Sequence, residues 1–409
     1  MKYWAPLLHI YQPPTQEVEV LQRIDGECYK PLFEMLSNNP YARITLNING
    51  VLLDLLNDHG LDDTVALLVD LVQRGIVEVI GTAKNHPLLP LIQDKEVTRQ
   101  IQLNEKTNKK IFGEKWKHGG FFPPELAINN TVLKLVAFEG YHWILASGIA
   151  CEKEWPYDVI YKTSQDLLVF FRDDMISNDI SFFRLSAPQF VKRIKNLYDA
   201  DDYYVITAMD GETFGHHRRD YETEFLERAL VMAHEDEEIS IKFISELVDD
   251  FPIDGPCKPK PSSWSTTPND LEQNIPYPLW KHPNNPVHKV QYRMLRALDE
   301  LINLCDENKW GVEKNGEFAE KYRTARYFYD RGLYSCPMWW ASMRPSWDPT
   351  LIHKGANLML LSALNAQLAL ISLKICEGDE IYDRFMDYHH RLMIELTKQT
   401  ANLRNIRTY

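Results

Sequence analysis

The chain is short of positive charge: 45 Lys and Arg stand against 58 Asp and Glu, a formal net charge of −13 at pH 7. So acidic a surface has no broad electrostatic grip on nucleic acid or an anionic membrane. None of the six cysteines forms a Cys-x-x-Cys pair. That argues against a zinc knuckle or redox couple, and scattered thiols in a long chain suit a reducing cytoplasm better than a disulfide framework. No Gly-x-Gly-x-x-Gly turn and no P-loop occurs, which removes the usual cradles for dinucleotides and phosphates. The start, Met1-Lys2-Tyr3-Trp4-Ala5-Pro6, lacks a secretory apolar run and cleavage site. The most apolar later stretch, 358–373, carries Ser362, Asn365, Gln367 and Ser372. It reads as a buried helix, too short and too polar to span a bilayer. The expectation is a soluble, cytoplasmic protein with no nucleic-acid or membrane partner and no cofactor.

What the sequence does have is aromatic surface: 10 Trp, 20 Tyr and 17 Phe among 409 residues. These fill a core or offer flat stacking faces to a neutral ligand. The first 210 residues alternate short apolar runs with amphipathic stretches. Seven strands are expected, at 4–10, 44–48, 77–80, 119–122, 143–146, 167–171 and 204–209. Between them 63–74, 96–112 and 131–139 have helical periodicity, the first stopped by Gly75. This rhythm predicts a mainly parallel sheet covered by helices. Polar residues follow the carboxyl ends of many strands: His9 and Gln12, Glu125, Arg172 to Asp174, then Asp210 and Glu212. That spread suits a barrel with its site at one mouth, whereas an open sheet concentrates its ligand groups at one switch point. The fold expected is α/β, an irregular (β/α)7 barrel over residues 1–251. Nine of the 23 prolines fall between Pro252 and Pro286, so 252–285 reads as a semi-rigid connecting loop. Residues 286–409 read as a helical subdomain packed on the barrel, with helices at 287–307, 351–376 and 379–403.

Two segments stand out chemically. In Gly119-Gly120-Phe121-Phe122-Pro123-Pro124-Glu125 a carboxylate follows a stiff Pro-Pro step, the rigidity a nucleophile or fixed acid requires. A plain helix-start glutamate explains the same residues. In Thr207-Ala208-Met209-Asp210-Gly211-Glu212 a buried strand ends in two carboxylates, followed by His216 and His217. A solvated Asp-Gly turn and a metal site are the competing readings. Adjacent histidines point apart on any regular element, so no metal is expected here. Carboxylates on different strand ends of one barrel invite the glycosidase arrangement, one acting as nucleophile or stabiliser and the other as acid. Glu78, inside an apolar run, is a carboxylate that needs partners. Trp339-Trp340 is a sugar platform or helix packing, and Arg172-Asp173-Asp174 reads as ion pairing that supports the site.

These segments together resemble glycoside hydrolase family 57, the α-glucan-active amylases, 4-α-glucanotransferases and branching enzymes. Leu8-His9-Ile10-Tyr11-Gln12-Pro13 is similar to the family's first motif, usually His-x-His-Gln-Pro. The segment 75–81 is similar to the second, 120–125 to the third and 208–212 to the fourth. The resemblance runs in order from residue 8 to about 350. It implies a (β/α)7 barrel and an α-glucan or oligosaccharide substrate. It also implies Glu125 as nucleophile, Asp210 as acid/base, and His9 and Glu78 as ligands of the sugar beside the cleaved bond. Glu212 and Trp339 are further candidate substrate contacts. Three departures stand out. Tyr11 replaces the second His, Phe122-Pro123 replaces an expected Trp-Leu, and Cys336-Pro337-Met338-Trp339-Trp340 lacks the Asp of the fifth motif. A retaining hydrolase or transferase is the leading expectation. A carbohydrate-binding barrel without turnover and a metal-dependent carbohydrate hydrolase or deacetylase are the alternatives.

Overall fold

The structure is a computed structural model that describes residues 1–406. Two compact units divide at Pro268 and Asn269. The first holds ten strands: β1 Lys2–Ile10, β2 Ile44–Ile48, β3 Val77–Val79, β4 Gly120–Phe121, β5 Trp143–Ser147, β6 Ile160–Lys162, β7 Leu168–Arg172, β8 Tyr203–Asp210, β9 Ile239–Ile241 and β10 Ile253–Pro256. One sheet runs β3-β2-β1-β8, with β9 also on β1, and a second runs β10-β6-β7-β5-β4. All pairings are parallel except β6 with β7. A parallel bridge between Gly81 and Phe121 continues the first sheet into the second. Seven strands therefore curl in the order β8-β1-β2-β3-β4-β5-β7, the irregular (β/α)7 barrel that the alternation predicts. Its seam, between β7 and β8, has no ladder. There the Asp173 N–H donates to the Ile206 carbonyl at 2.8 Å and the Ala208 N–H to the Ser177 hydroxyl at 3.1 Å.

The strands are apolar on both sides because both sides are buried. Alternate residues of β1 serve different cores. Ala5 and Leu7 join Leu145, Phe170, Ile206 and Ala208 in one cluster. Trp4, Leu8 and Ile10 join the helical layer through Leu32, Phe33 and Leu52. The helices keep their sequence signals. Asn129 accepts the Val132 N–H at 2.8 Å at the start of Asn130–Phe138. Gly75, at φ 71°, ends Asp62–Gln73 in the left-handed conformation glycine tolerates.

All seven expected strands form, and three more accompany them. β6 is only three residues long, and β9 follows the acidic run 235–238. β10 lies inside the proline-rich stretch read as a loop without elements. It is a sheet-edge strand with Ile253 49 % exposed, where Pro256 breaks no interior ladder.

The second unit is helical. Its long helices are Pro286–Glu307, Gly316–Gly332, Pro349–Ser372 and Glu377–Ile406; Gly316–Gly332 was not expected. Pro349–Ser372 begins at Asp348, whose side chain accepts the Leu351 N–H at 3.0 Å. The sequence reading of this helix needs correcting twice. At 24 residues it is long and apolar enough to cross a membrane by length and composition alone, and only half of its most apolar window is buried. Leu361, Leu364, Leu368 and Ile371 are exposed, while the other side packs against Gly316–Gly332 and Pro286–Glu307.

Candidate active site

The carboxyl ends of the strands carry polar side chains in two register rows. His9 is in register with Asn47 on one side and Asp210 on the other. Ser147 is in register with Arg172 across β5 and β7. His9 Nδ1 lies 2.5 Å from Asn47 Oδ1, and its ring stacks on Phe122 with centroids 4.8 Å apart and planes 10° apart. Burial pushes the imidazole down to about 4, against the opposing pull of Asn47, so His9 is a neutral group here.

Glu125 lies one turn beyond β4. The Pro123-Pro124 step leads into a tight turn in which Glu125 and Leu126 have φ of 60° and 48°, a left-handed conformation that bulky residues hold only under constraint. The constraint comes from the proline-rich segment. Trp264 donates its backbone N–H to the Glu125 carbonyl at 3.1 Å and its indole N–H to Oε2 at 2.8 Å. His86 Nδ1 stands 3.9 Å from Oε1. A 17 % exposed side chain still reaches the cleft. Burial first, and the like charge of Asp210 second, raise Glu125 to about 8, with the Trp264 hydrogen bond opposing. Burial raises Asp210 to about 6, and the Arg172 guanidinium opposes that rise. The negative charge of Asp210 thus adds to burial in holding the Glu125 carboxyl above the usual carboxylate range.

The Asp-Gly-Glu sequence is not a solvated turn. Gly211 is buried, and a Cβ there would meet Ile10 Cγ2 at 2.4 Å. Glu212, 5 % exposed, turns away into the protein and ties the first loop to β8. It accepts the Tyr29 hydroxyl at 2.5 Å, the Gln12 amide at 3.2 Å and the Tyr11 N–H at 3.3 Å. Burial, then the charge of Asp210, raise it to about 7. His216 Nδ1 pairs with Glu27 Oε2 at 2.7 Å. Among the described residues no group of three or more His, Cys, Asp or Glu side chains is arranged to hold a metal ion.

Glu78 lies at another level of the sheet, and Trp339 is a residue of the second unit. Glu78 is in register with Thr45, which is in register with Leu7. That is two residues, about 6–7 Å, nearer the amino-terminal end than the His9 layer. Its Oε2 accepts the Thr45 hydroxyl at 3.2 Å, and burial raises its pKa against hydrogen bonds from Ser245 and Thr45. Trp339 belongs to the second unit, half-buried in the short helix Cys336–Trp340.

His86 belongs to the site although sequence reasoning passed over it. Its φ is 55°, its Nε2 lies 3.3 Å from that of His9, and Tyr11 stacks on it at 3.9 Å. The available signal was an Asn-His-Pro step just past β3. Trp264 lies in the proline-rich stretch 252–285.

An α/β barrel with its ionisable groups gathered at the carboxyl ends of the strands is the architecture of barrel enzymes, which build their chemistry at that mouth. Within that class the chain belongs to glycosyl hydrolase family 57, which its residues 6–256 match. It is 24 % identical to an α-amylase of Pyrococcus horikoshii over 340 residues, 80 % of this chain and 51 % of that one. With a 4-α-glucanotransferase of Thermococcus kodakarensis it shares 24 % over 254 residues, 60 % of this chain and 38 % of that one. The chain thus spans about half the length, or less, of these relatives. The solved structure of a family 57-type branching enzyme from Pyrococcus horikoshii has the same fold, with a TM-score of 0.71 at 14 % identity and 96 % of each chain covered.

Proposed function

We propose that this chain is a retaining glycoside hydrolase or transglycosylase acting on α-linked glucans by double displacement. The observation that carries the reading is the position of two desolvated carboxyl groups past the carboxyl ends of different strands of one barrel, Glu125 after β4 and Asp210 at the end of β8. Ionised Glu125 attacks the anomeric carbon while protonated Asp210 gives its proton to the departing oxygen, leaving a glycosyl ester on Glu125. Asp210, now a carboxylate, takes a proton from water or a sugar hydroxyl as that oxygen displaces Glu125. Tyr11 and Trp264, both partly exposed, offer flat faces near Glu125, suited to a neutral sugar ring. The relatives include an amylase, a glucanotransferase and a branching enzyme, and an α-glucan is the substrate class they have in common. A cytoplasmic location belongs to the same reading, carried by six scattered thiols.

The test is incubation with a panel of α-glucans and separation of all products. Shortening alone means hydrolysis, redistributed lengths mean transfer, and new branch points mean branching. No product from any α-glucan at high enzyme concentration overturns the reading. A second reading, a carbohydrate-binding barrel without turnover, draws on Tyr11 standing in the first motif and stacking on His86. Saturable heat of binding with malto-oligosaccharides and no new reducing ends decides for it.

A further inference from the structure

In a chain whose acids outnumber its cations 58 to 45, a cavity of about 400 Å³ in the first unit has no Asp or Glu in its lining. Its charged residues are Lys134 and Lys258. Both are exposed and, among the described residues, neither forms an ion pair. Asp166, the acid next in sequence to the lining residue Gln165, is paired with Lys162 at 3.0 Å.

Three segments make the walls. Asn130 and Lys134 stand one turn apart on the helix Asn130–Phe138 and so share a face. The turn from β6 to β7 supplies Thr163, Ser164 and Gln165, and the chain at the end of β10 supplies 256–259. Backbone hydrogen bonds fix these segments in place. The Cys257 N–H donates to the Lys162 carbonyl at 2.8 Å and the Thr163 N–H to the Leu167 carbonyl at 2.8 Å. Ile128, two residues ahead of Asn130, exchanges N–H···O bonds of 3.0 and 3.3 Å with Ser262. The walls are set before any ligand arrives, which lowers the ordering cost of binding.

The lining calls for a ligand of two parts. Two ammonium groups without an acidic partner suit an anion. The uncharged polar groups are unspent as well. The Asn130 amide has no partner among the described residues, and neither has Gln165 Oε1. The Ser164 hydroxyl accepts from Gln165 Nε2 at 2.7 Å and keeps its own proton to give. Amides and hydroxyls of this kind match the hydroxyls of a sugar. The volume falls in the range of small-molecule sites and exceeds what a bare phosphate fills.

We propose that this cavity binds a phosphorylated sugar, with Lys134 and Lys258 on the phosphate and Asn130, Ser164 and Gln165 on the sugar hydroxyls. It shares no residue with the mouth that holds Glu125 and Asp210, so it stands or falls apart from the glycosidase reading.

Calorimetric titration of the whole chain with glucose 6-phosphate tests this, with inorganic phosphate and glucose as the separate halves. Glucose 6-phosphate is expected to bind saturably, about tenfold or more tighter than either half, and to weaken as salt rises because the lysines are exposed. Lys134→Ala and Lys258→Ala each weaken it about tenfold or more at parental Tm, since neither side chain is buried or paired. Ser164→Ala weakens glucose 6-phosphate and leaves inorganic phosphate unchanged. Absence of saturation at millimolar concentration overturns the proposal, as does equal affinity for either half. So does binding undiminished in the double variant Lys134→Ala/Lys258→Ala, which places the ligand elsewhere on the chain.

Discussion

Trp264 grips Glu125 twice, through its indole N–H to Oε2 at 2.8 Å and its backbone N–H to the Glu125 carbonyl at 3.1 Å. The carboxylate and the left-handed backbone that carries it are held by one residue, 139 positions away in sequence. A strained conformation persists where its surroundings over-determine it, and a fixed carboxylate needs no reorganisation before it reacts.

Trp264→Phe keeps the aromatic face and removes the donor. That hydrogen bond favours ionised Glu125, so its loss raises the pKa of Glu125 and thins the reactive form. A hydrogen bond to a charged group is worth roughly 1.5–3 kcal/mol, so kcat/KM is expected to fall about 10–100-fold. Steady-state kinetics on whichever glucan is turned over checks this; an unchanged kcat/KM refutes the role given to the indole.

Glu125→Ala is expected to lower kcat on the order of 10⁴-fold or more, and Asp210→Asn by about 10²–10⁴-fold. Neither side chain carries a strand, so far-ultraviolet circular dichroism stays as in the parent. Parental activity in Glu125→Ala on every glucan sinks the mechanism.

The same groups make stability depend on pH, with opposite signs. Glu125 rises from 4.5 to about 8 on folding, so its contribution is full below pH 4.5 and lost as pH climbs through 8. Glu125→Gln abolishes that loss and is expected to raise Tm at pH 8, by about 4 kcal/mol in stability. His9 falls from 6.5 to about 4, so the native state binds fewer protons. Its contribution is present above pH 6.5 and lost as pH falls to 4, about 3 kcal/mol in all. Calorimetric scans from pH 4 to 8 on the parent, Glu125→Gln and His9→Asn separate the two. A Glu125→Gln variant no more stable at pH 8 counts against deep desolvation of the carboxylate.

Glu78 serves as a control residue. Its partners Thr45 and Ser245 lie toward the amino-terminal end of the strands. Glu78→Gln is expected to move Tm and leave KM within about twofold, because the change touches packing below the mouth. A KM change of tenfold or more with an unmoved Tm returns Glu78 to the sugar.

Much of this site was legible in the chain. His9, Glu125 and Asp210 stand at the ends of apolar runs long enough to be strands, and their spacing survives folding unchanged. Glu212 was read as a candidate substrate contact, yet its buried carboxylate is held by Tyr29 and Gln12. The local signals of His86 and Trp264 are weak, since an Asn-His-Pro step and a Trp among prolines look like ordinary loop.

The opening scarcities set boundaries early. A shortage of cations, paired cysteines and phosphate-binding glycines left neutral-ligand chemistry on an α/β scaffold, because composition and periodicity are local properties of the chain. Which side chain bridges β7 and β8, and which loop clamps Glu125, are long-range facts. They depend on β7 closing against β8 without a ladder and on residue 264 returning to residue 125, and electrostatic fields in a desolvated mouth follow distance in space rather than order along the chain.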